Sequence, residues 1–484
     1  MTSKGDIVLA QPWISGKPFT AGGGKTEDLL SPWDGSHVAT VEMANEATID
    51  AAIKSARSAF DNNKMATPAQ RALWLRKAAD EVDGVKEQIA NITMRALGKP
   101  KRACGFEAGR VSQLLRLCAE ELLRMEGEVL PLDALPMGAG RFGFTRHHPH
   151  GVIAAFTPFN APSNLLMQKV APALAVGNAV VIKPAFEGVG EALLIAEAFS
   201  RAGVPDGLVN VVACRRDVTG YLVGHRDVAV VTLTGGTAAG EALAKAAGAK
   251  PFIGELGGNS ANIVCDDADV KDAAKRIAPS AFEASGQQCI SAQRIIVQET
   301  VLEEFLKYFV EAAEGMNVGD PTLETTDVGP MVNAAAADRV EEMVNEALEN
   351  GAVAALPLKR KEAVIFPTIL VRPSSDARVV CEEIFGPVAV IIPASDLDDA
   401  IQIANNSEFG LQSSCFTSNL ETAFRVSEEL HVGSVWINEG SRFRMDTTPF
   451  GGVGSSGYGR EGIKYAMQEL SYVKFTGIRF PGRE

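Results

Sequence analysis

Histidine is scarce in this 484-residue chain: there are six, with none between His225 and His431. A cysteine–histidine hydrolase, which needs an imidazole beside its thiol, would have to bring one from far along the chain. The seven cysteines include no CxxC pair. Their scatter and odd number fit reduced thiols in a cytoplasmic protein. Positive charge is in deficit, with 46 Lys and Arg against 60 Asp and Glu for a net charge of -14. That balance argues against a nucleic-acid surface or an anionic-membrane binder. No uninterrupted apolar run approaches the roughly 18 residues of a membrane span. The start, Met1-Thr2-Ser3-Lys4-Gly5-Asp6, lacks the apolar core of a signal peptide. Internal repeats and low-complexity tracts are absent, and Ala21-Gly22-Gly23-Gly24 is a short loop signal.

What is present is an ordinary globular balance, 46% apolar and 22% charged. The length predicts two to four domains or two large lobes. In Thr67-Pro68-Ala69-Gln70 a threonine cap, a first-turn proline and a glutamine three residues on predict a helix start. Ile49, Ile53, Ala56 and Phe60 share one helical face. From 151 onward short apolar runs alternate with amphipathic stretches. The runs are 152–156, 179–182, 209–212 and 228–233. Continuous apolar runs separated by helices read as buried parallel strands with crossovers. This predicts a doubly wound α/β unit, with ligands beyond the carboxyl ends of its strands. Asn160, Lys183 and Gly235-Gly236 fall at those ends. A second α/β lobe begins after Glu255, with a strand at 260–264 and a helix over 269–284, so Cys289 follows a helix. The terminal run 471–476 alternates as a strand and needs an edge, for which another subunit is one candidate.

Several motifs are discounted. Gly452-Val453-Gly454-Ser455-Ser456-Gly457 matches GxGxxG, but no strand precedes it and too little chain follows for a βαβ unit. Gly24-Lys25-Thr26 has Phe19 where the first glycine of a phosphate loop belongs. His147, His148 and His150, interrupted by Pro149, do not reproduce a usual ligand spacing, so no metal site is read. Gly235-Gly236-Thr237-Ala238-Ala239-Gly240 is better placed, after an apolar strand and opening a helix whose free N–H groups suit a pyrophosphate. The densest signal pairs Gly254-Glu255-Leu256-Gly257-Gly258 with Gly286-Gln287-Gln288-Cys289. A soft nucleophile and a carboxylate base, each in a glycine-bearing segment, are what a covalent thioester mechanism requires.

Seven segments in order resemble the aldehyde dehydrogenase superfamily almost end to end. They are Thr157-Pro158-Phe159-Asn160, Lys183-Pro184, Leu233-Thr234-Gly235-Gly236, Glu255-Leu256-Gly257-Gly258, Gly286-Gln287-Gln288-Cys289, Glu382-Glu383-Ile384-Phe385-Gly386-Pro387 and Pro449-Phe450-Gly451-Gly452. The resemblance implies NAD(P)-dependent oxidation of an aldehyde to a carboxylic acid. Cys289 would be the nucleophile, the Asn160 amide and the Cys289 N–H the oxyanion donors, and Glu255 the base for hydrolysis. Cofactor contacts would fall on Thr157, Pro158, Lys183 and Gly235-Gly236, with Glu383 on the nicotinamide ribose and Phe385 near the nicotinamide. The implied architecture is α/β. A Rossmann-type cofactor domain comprises 1–122 and 147–257, a catalytic domain 258–457, and a small β oligomerisation arm 123–146 and 468–484. The assembly would be a homodimer or homotetramer.

Three positions depart from the family pattern. Gly236 stands where many members have serine. Phe186 stands where NAD-preferring members have glutamate, with Glu187 one further on; NAD is implied, with NADP open. Gln288 stands where branches acting on phosphorylated aldehydes carry arginine. Arg110, Phe159, Gln288, Arg442 and the neighbouring Arg444 are candidates around the substrate, the arginines for an anionic tail. Two alternatives are weighed. A CoA-acylating semialdehyde dehydrogenase usually lacks the glutamate found here at 255. A non-catalytic relative would have lost Cys289, Asn160 or Glu255, and all three are present.

Overall fold

A computed structural model of the chain describes residues 9–20 and 24–482. The N-terminal reading over residues 1–6, the loop signal at 21–23 and the last two residues of the arm, 483–484, lie outside the described residues.

Thr67 caps the helix Pro68–Leu97 as its spacing predicts: its hydroxyl accepts from Gln70 N at 3.2 Å, and Gln70 Oε1 accepts from Thr67 N at 2.8 Å. A cap of this kind stabilises a helix by about 1 kcal/mol. Gly98, at φ 63°, ends the helix, and a Cβ there would meet Pro330 Cγ at 2.2 Å. The preceding helix, Glu46–Asn63, starts at Asn45, whose side chain accepts from Thr48 N, and buries Ile49, Ala52, Ile53 and Ala56.

The apolar runs form the centre of an eight-stranded sheet. Five parallel strands lie in the order Phe252–Glu255, Val228–Thr234, Val152–Phe156, Ala179–Lys183, Val209–Val211. The first strand in the chain is central, and the winding reverses between it and Val228–Thr234. Such a switch point opens a crevice at the carboxyl ends of the strands. Register brings two candidates, Lys183 and Glu255, to that edge: Phe156 pairs with Lys183 and Leu233, and Thr234 with Glu255.

The helix Val189–Arg201 covers this sheet and carries a fully buried acid, Glu191. Burial first, with the Glu107 charge adding, pushes its carboxyl up to about 8. Between pH 4.5 and 8 the native state therefore holds a proton that the unfolded chain has lost, and stability falls as pH rises through that window. At pH 7 the cost is about 3 kcal/mol. Glu191→Gln is expected to raise the melting temperature at pH 7.5 and leave it nearly unchanged at pH 5. Equal shifts at both values would refute the titration.

A second, seven-stranded sheet runs Val353–Leu356, Thr368–Val371, Val388–Ala394, Ala292–Gln298, Ser260–Val264, Gln412–Phe416, Ser434–Ile437, parallel except for the first pair. Ser260 pairs with Ala292, so the segments leading into these strands, Glu255–Gly258 and Gly286–Cys289, approach the sheet side by side. The glycine-rich 452–457 stretch forms no dinucleotide loop. Its Gly457–Tyr458 strand returns to pair antiparallel with Gly254 and Glu255.

The terminal strand needs no second subunit to form. Ser471–Arg479 pairs along its whole length with Arg141–Pro149 of the same chain, and Val129–Leu130 completes a three-stranded antiparallel sheet. Val129, Val473 and Phe475 remain exposed on it. His147, His148 and His150 fall at its end, and no metal-holding group of His, Cys, Asp and Glu occurs among the described residues. Among them, no helix is long and apolar enough to cross a membrane.

Candidate active site

Cys289 stands in a loop between the helix Val270–Phe282 and the strand Ala292–Gln298. Ala284, Ser285 and Gly286 take φ values of 52°, 60° and 63° in succession. Left-handed backbone is costly for residues bearing a Cβ, so the surroundings must enforce it. Ser285 Oγ donates to the carbonyls of Gly329 at 2.8 Å and Pro330 at 3.2 Å. A Cβ on Gly286 would lie 2.2 Å from Gly386 O, which excludes any other residue. Gln287 Oε1 accepts from Val332 N, and Gln287 O accepts from Asn160 Nδ2 at 2.9 Å. The loop is thus fixed before the cysteine is reached.

Cys289 is half-buried beside Ile290, Leu411 and Phe450. Its backbone N–H has no hydrogen-bond partner among the described residues. Burial first, then the Glu383 carboxylate, pushes the thiol up to about 12, while Arg444 pulls the other way. Gly258 touches this backbone: a Cβ there would sit 2.0 Å from Cys289 O.

Glu255, three residues before Gly258, is 2% exposed, and neither carboxylate oxygen has a hydrogen-bond partner among the described residues. Burial and then the charge of Glu461 hold it well above the ordinary carboxylate range, against the opposing pull of Lys169, Arg444 and Arg460. Glu461 titrates the opposite way. Burial raises it, but Lys169 and Arg444 outweigh that and hold it below the usual range. Lys169 Nζ donates to Glu461 Oε1 at 2.7 Å and Thr232 Oγ1 at 3.1 Å. Arg444 donates to Glu461 Oε2 at 3.1 Å, with its guanidinium 3.6 Å from the centre of the Phe450 ring. Two neighbouring buried carboxylates driven apart in pKa can take different roles, one held ionised and the other able to take up and release a proton. Sequence reasoning missed Lys169 and Glu461. The available signal was a lysine inside Pro162–Val176, a helix otherwise apolar over most of its length and buried throughout.

The cofactor candidates gather at the carboxyl edge of the first sheet. Gly236 caps the helix Thr237–Ala247 without a side-chain bond, and a Cβ there would meet nothing within 4 Å. Gly235 is corrected in one respect, because its N–H already donates to Glu255 O at 3.0 Å and is not free for a phosphate. Thr157 Oγ1 is buried without a partner among the described residues, and Pro158 follows it. Burial lowers the Lys183 ammonium, with Cys214 and Glu187 opposing and Arg216 adding. Glu383 Oε1 accepts from Gly258 N at 2.9 Å, and burial pushes its carboxyl up to about 7. A Cβ on Gly257 would crowd Glu383 Oε2 at 2.9 Å. An open helix N-terminus, an orphaned hydroxyl, a desolvated lysine and two glycines that clear space fit a dinucleotide.

On the other side of Cys289 lies a cavity of about 830 Å³, walled by Asn160, Gln288, Arg110, Arg442, Arg444 and Phe450 among others. Arg442 Nε donates to Gln288 Oε1 at 2.7 Å, and its Nη1 pairs with Glu283. Arg110 grips both oxygens of Asp446, which also accepts from Gln168 Nε2 at 2.6 Å. Phe159 lines a small neighbouring pocket with Lys99, Asn160 and Gln287, and its ring stands edge-on to Phe385 with centroids 5.8 Å apart.

Comparison with known proteins agrees with this geometry. The Aldehyde dehydrogenase family profile matches residues 19–476. A 3-sulfolactaldehyde dehydrogenase of Priestia aryabhattai is 38% identical over 445 residues, 92% of this chain and 93% of the relative. An NADP-dependent glyceraldehyde-3-phosphate dehydrogenase of Bacillus halodurans, solved with NADP, superposes with a TM-score of 0.95 at 34% identity, covering 97% of this chain and 99% of that one. An aldehyde dehydrogenase of Physcomitrella patens, solved with the product succinate, gives 0.94 at 33%, covering 98% and 99%. With its Rossmann-type fold and a family match that spans nearly its whole length, this chain belongs to the aldehyde dehydrogenase family.

Proposed function

We propose that this protein oxidises an aldehyde bearing an anionic tail to the carboxylic acid, with NAD(P) as electron acceptor. The observation that carries the reading is the convergence of Cys289, Asn160 and Glu255 around one rigid loop. The cofactor would be held by Lys183, the N-terminus of the helix Thr237–Ala247, Thr157 and Glu383. Bound there, the oxidised cofactor would supply a hydride acceptor.

The chain's own residues account for the rest. The Cys289 proton leaves to water at the mouth of the cavity, and the sulfur forms a C–S bond with the aldehyde carbon. Negative charge moves to oxygen, where Asn160 Nδ2 and the Cys289 N–H donate. Each such donor is typically worth about 3 kcal/mol in the transition state. Once the carbon is oxidised to a thioester, Glu255 takes a proton from water as that water attacks. The C–S bond breaks as Glu255 returns that proton to the departing sulfur, so the acid leaves, Cys289 is regenerated as thiol and Glu255 as carboxylate. A carboxylate held above its ordinary pKa, without hydrogen bonds of its own, suits this task. The presence of Glu255, which CoA-acylating relatives usually lack, favours hydrolysis over transfer to a thiol such as CoA.

The anionic tail is argued from Arg442 and Arg110 in the cavity wall, and from the sulfonated and phosphorylated aldehydes named for the relatives. Arginine is suited to such groups by its fork of donors. Arg442→Ala leaves the Glu283 carboxylate facing the tail. It is expected to raise KM for a sulfonated or carboxylated aldehyde by about tenfold to a hundredfold, the value of a charge-assisted hydrogen bond. KM for a neutral aldehyde of the same length should change less than about threefold. Equal losses on both would sink the anion reading.

The remaining assignments follow the same reading. Residues 1–122 and 147–257 serve the cofactor, 258–457 the chemistry and 123–146 with 468–484 the contact between copies. The exposed apolar side chains of the arm sheet suit an oligomer.

A further inference from the structure

The amide of Asn160 is only as well placed as the backbone that carries it, and that backbone has no local support. Asn160 immediately precedes the helix Pro162–Val176, whose N-cap is Ala161, with φ -142° and ψ 63° and no side-chain capping bond. Alanine has no acceptor, so the first N–H groups of this helix must be satisfied from elsewhere. Glu107, on the helix Lys101–Leu122, does so across the interface. Its Oε1 accepts from Ser163 N at 2.9 Å, Ser163 Oγ at 2.7 Å and Asn164 N at 3.1 Å. Its Oε2 accepts from Lys99 Nζ at 2.6 Å, and the same ammonium donates to the carbonyl of Asn160 at 2.9 Å. The Lys99 and Glu107 side chains are 10% and 6% exposed, so both are held out of water. Lys99 is itself fixed at its root, between the left-handed Gly98 and Pro100.

We infer that Lys99 and Glu107 form a positioning pair that sets the Asn160 amide against the oxygen developing at Cys289. The inference rests on the oxyanion role proposed for Asn160. Both residues reach the cavity wall, but their polar groups are spent on the Asn160 segment: one grips the Asn160 carbonyl and the other fixes the helix start two residues beyond. A paired buried charge is expensive to break and restricts the conformations open to its neighbours. An oxyanion donor acts only within a narrow range of distance. Lys99→Met and Glu107→Gln therefore move the amide without removing it.

The test is a double-mutant cycle, since residues acting through one group are non-additive. Lys99→Met is made in the full-length enzyme and in Asn160→Ala. The single-turnover rate of NAD(P)H formation, iodoacetamide alkylation of Cys289 and thermal stability are measured for each. Lys99→Met should slow single-turnover oxidation about tenfold or more in the parent enzyme. In the Asn160→Ala background the same change should cost less than about twofold. Alkylation, which develops no oxyanion, should be unaltered, and Lys99→Arg should restore most of the rate. If Lys99→Met fails to fold, Glu107→Gln, which keeps an acceptor for Ser163, takes its place in the cycle. An equal loss in both backgrounds, or alkylation slowed in step with oxidation, overturns the pair's role and leaves the oxyanion reading intact. Full activity in Asn160→Ala alone overturns the oxyanion reading, and this inference with it.

Discussion

Cys289→Ala is expected to lower aldehyde oxidation by at least about 10⁴-fold, because removing a nucleophile leaves only the binding and electrostatic remainder of a site. Binding of NAD(P)H, followed by fluorescence titration, should persist, since the dinucleotide edge belongs to the other sheet. Measurable steady turnover above a hundredth of the parent rate would remove the sulfur from the mechanism. The same residue makes a pH prediction. Its thiol is pushed up to about 12 by burial and by Glu383. In cofactor-free enzyme the thiolate fraction, and with it the alkylation rate, should climb about tenfold per pH unit between 7 and 10. Oxidised cofactor should raise the rate at pH 7.5, because its positive charge would favour the thiolate. A plateau below pH 8 without cofactor would mean that the sulfur is less desolvated than its surroundings require.

Glu255→Gln should separate the two halves of the reaction. A burst of NAD(P)H equal to the enzyme concentration is expected, followed by steady turnover reduced about 10²- to 10⁴-fold, the usual contribution of a general base. Rapid-quench measurement should find the acyl group on Cys289. In the parent enzyme deacylation should rise with pH as Glu255, held well above the ordinary carboxylate range by burial and by Glu461, loses its proton. Glutamine should abolish that limb. Loss of the burst itself would assign Glu255 to deprotonation of the thiol. An unchanged steady rate would remove it from deacylation.

Much of the frame was legible because it is local. The apolar runs at 152–156 and 228–233 read as buried strands since a parallel sheet covered on both faces needs no polar alternation. The Thr67 capping box needs only four residues. Cys289 and Glu255 were legible through their glycines, and Gly258 and Gly286 prove to be places where any side chain would strike Cys289 O or Gly386 O. What escaped depends on topology. Lys169 and Glu461 meet across 292 residues, and no spacing rule connects them. Arg442 stood out in sequence as a candidate arginine and lines the cavity, but its pairing with Glu283 is visible only once the chain has folded. The run 471–476 read as a strand in search of an edge because the partner of Ser471–Arg479, Arg141–Pro149, lies more than three hundred residues earlier.

The Lys169–Glu461 pair also bears on how the chain is made. Lys169 is 1% exposed in the helix packed on the first sheet, and its counter-charge lies near the end of the sequence. A ribosome delivers chains from the N-terminus, and domains ordinarily fold as they emerge. Here the first sheet can collapse early, but its interior then holds a lysine with nothing to neutralise it. That lysine must stay hydrated until residue 461 arrives. Gly457–Tyr458, which closes the edge beside Phe252–Glu255, arrives just before it. Nascent chains arrested before residue 457 should therefore carry an open, protease-sensitive first unit, and chains released after 461 a closed one. The last tenth of the protein completes the interior of the part synthesised first.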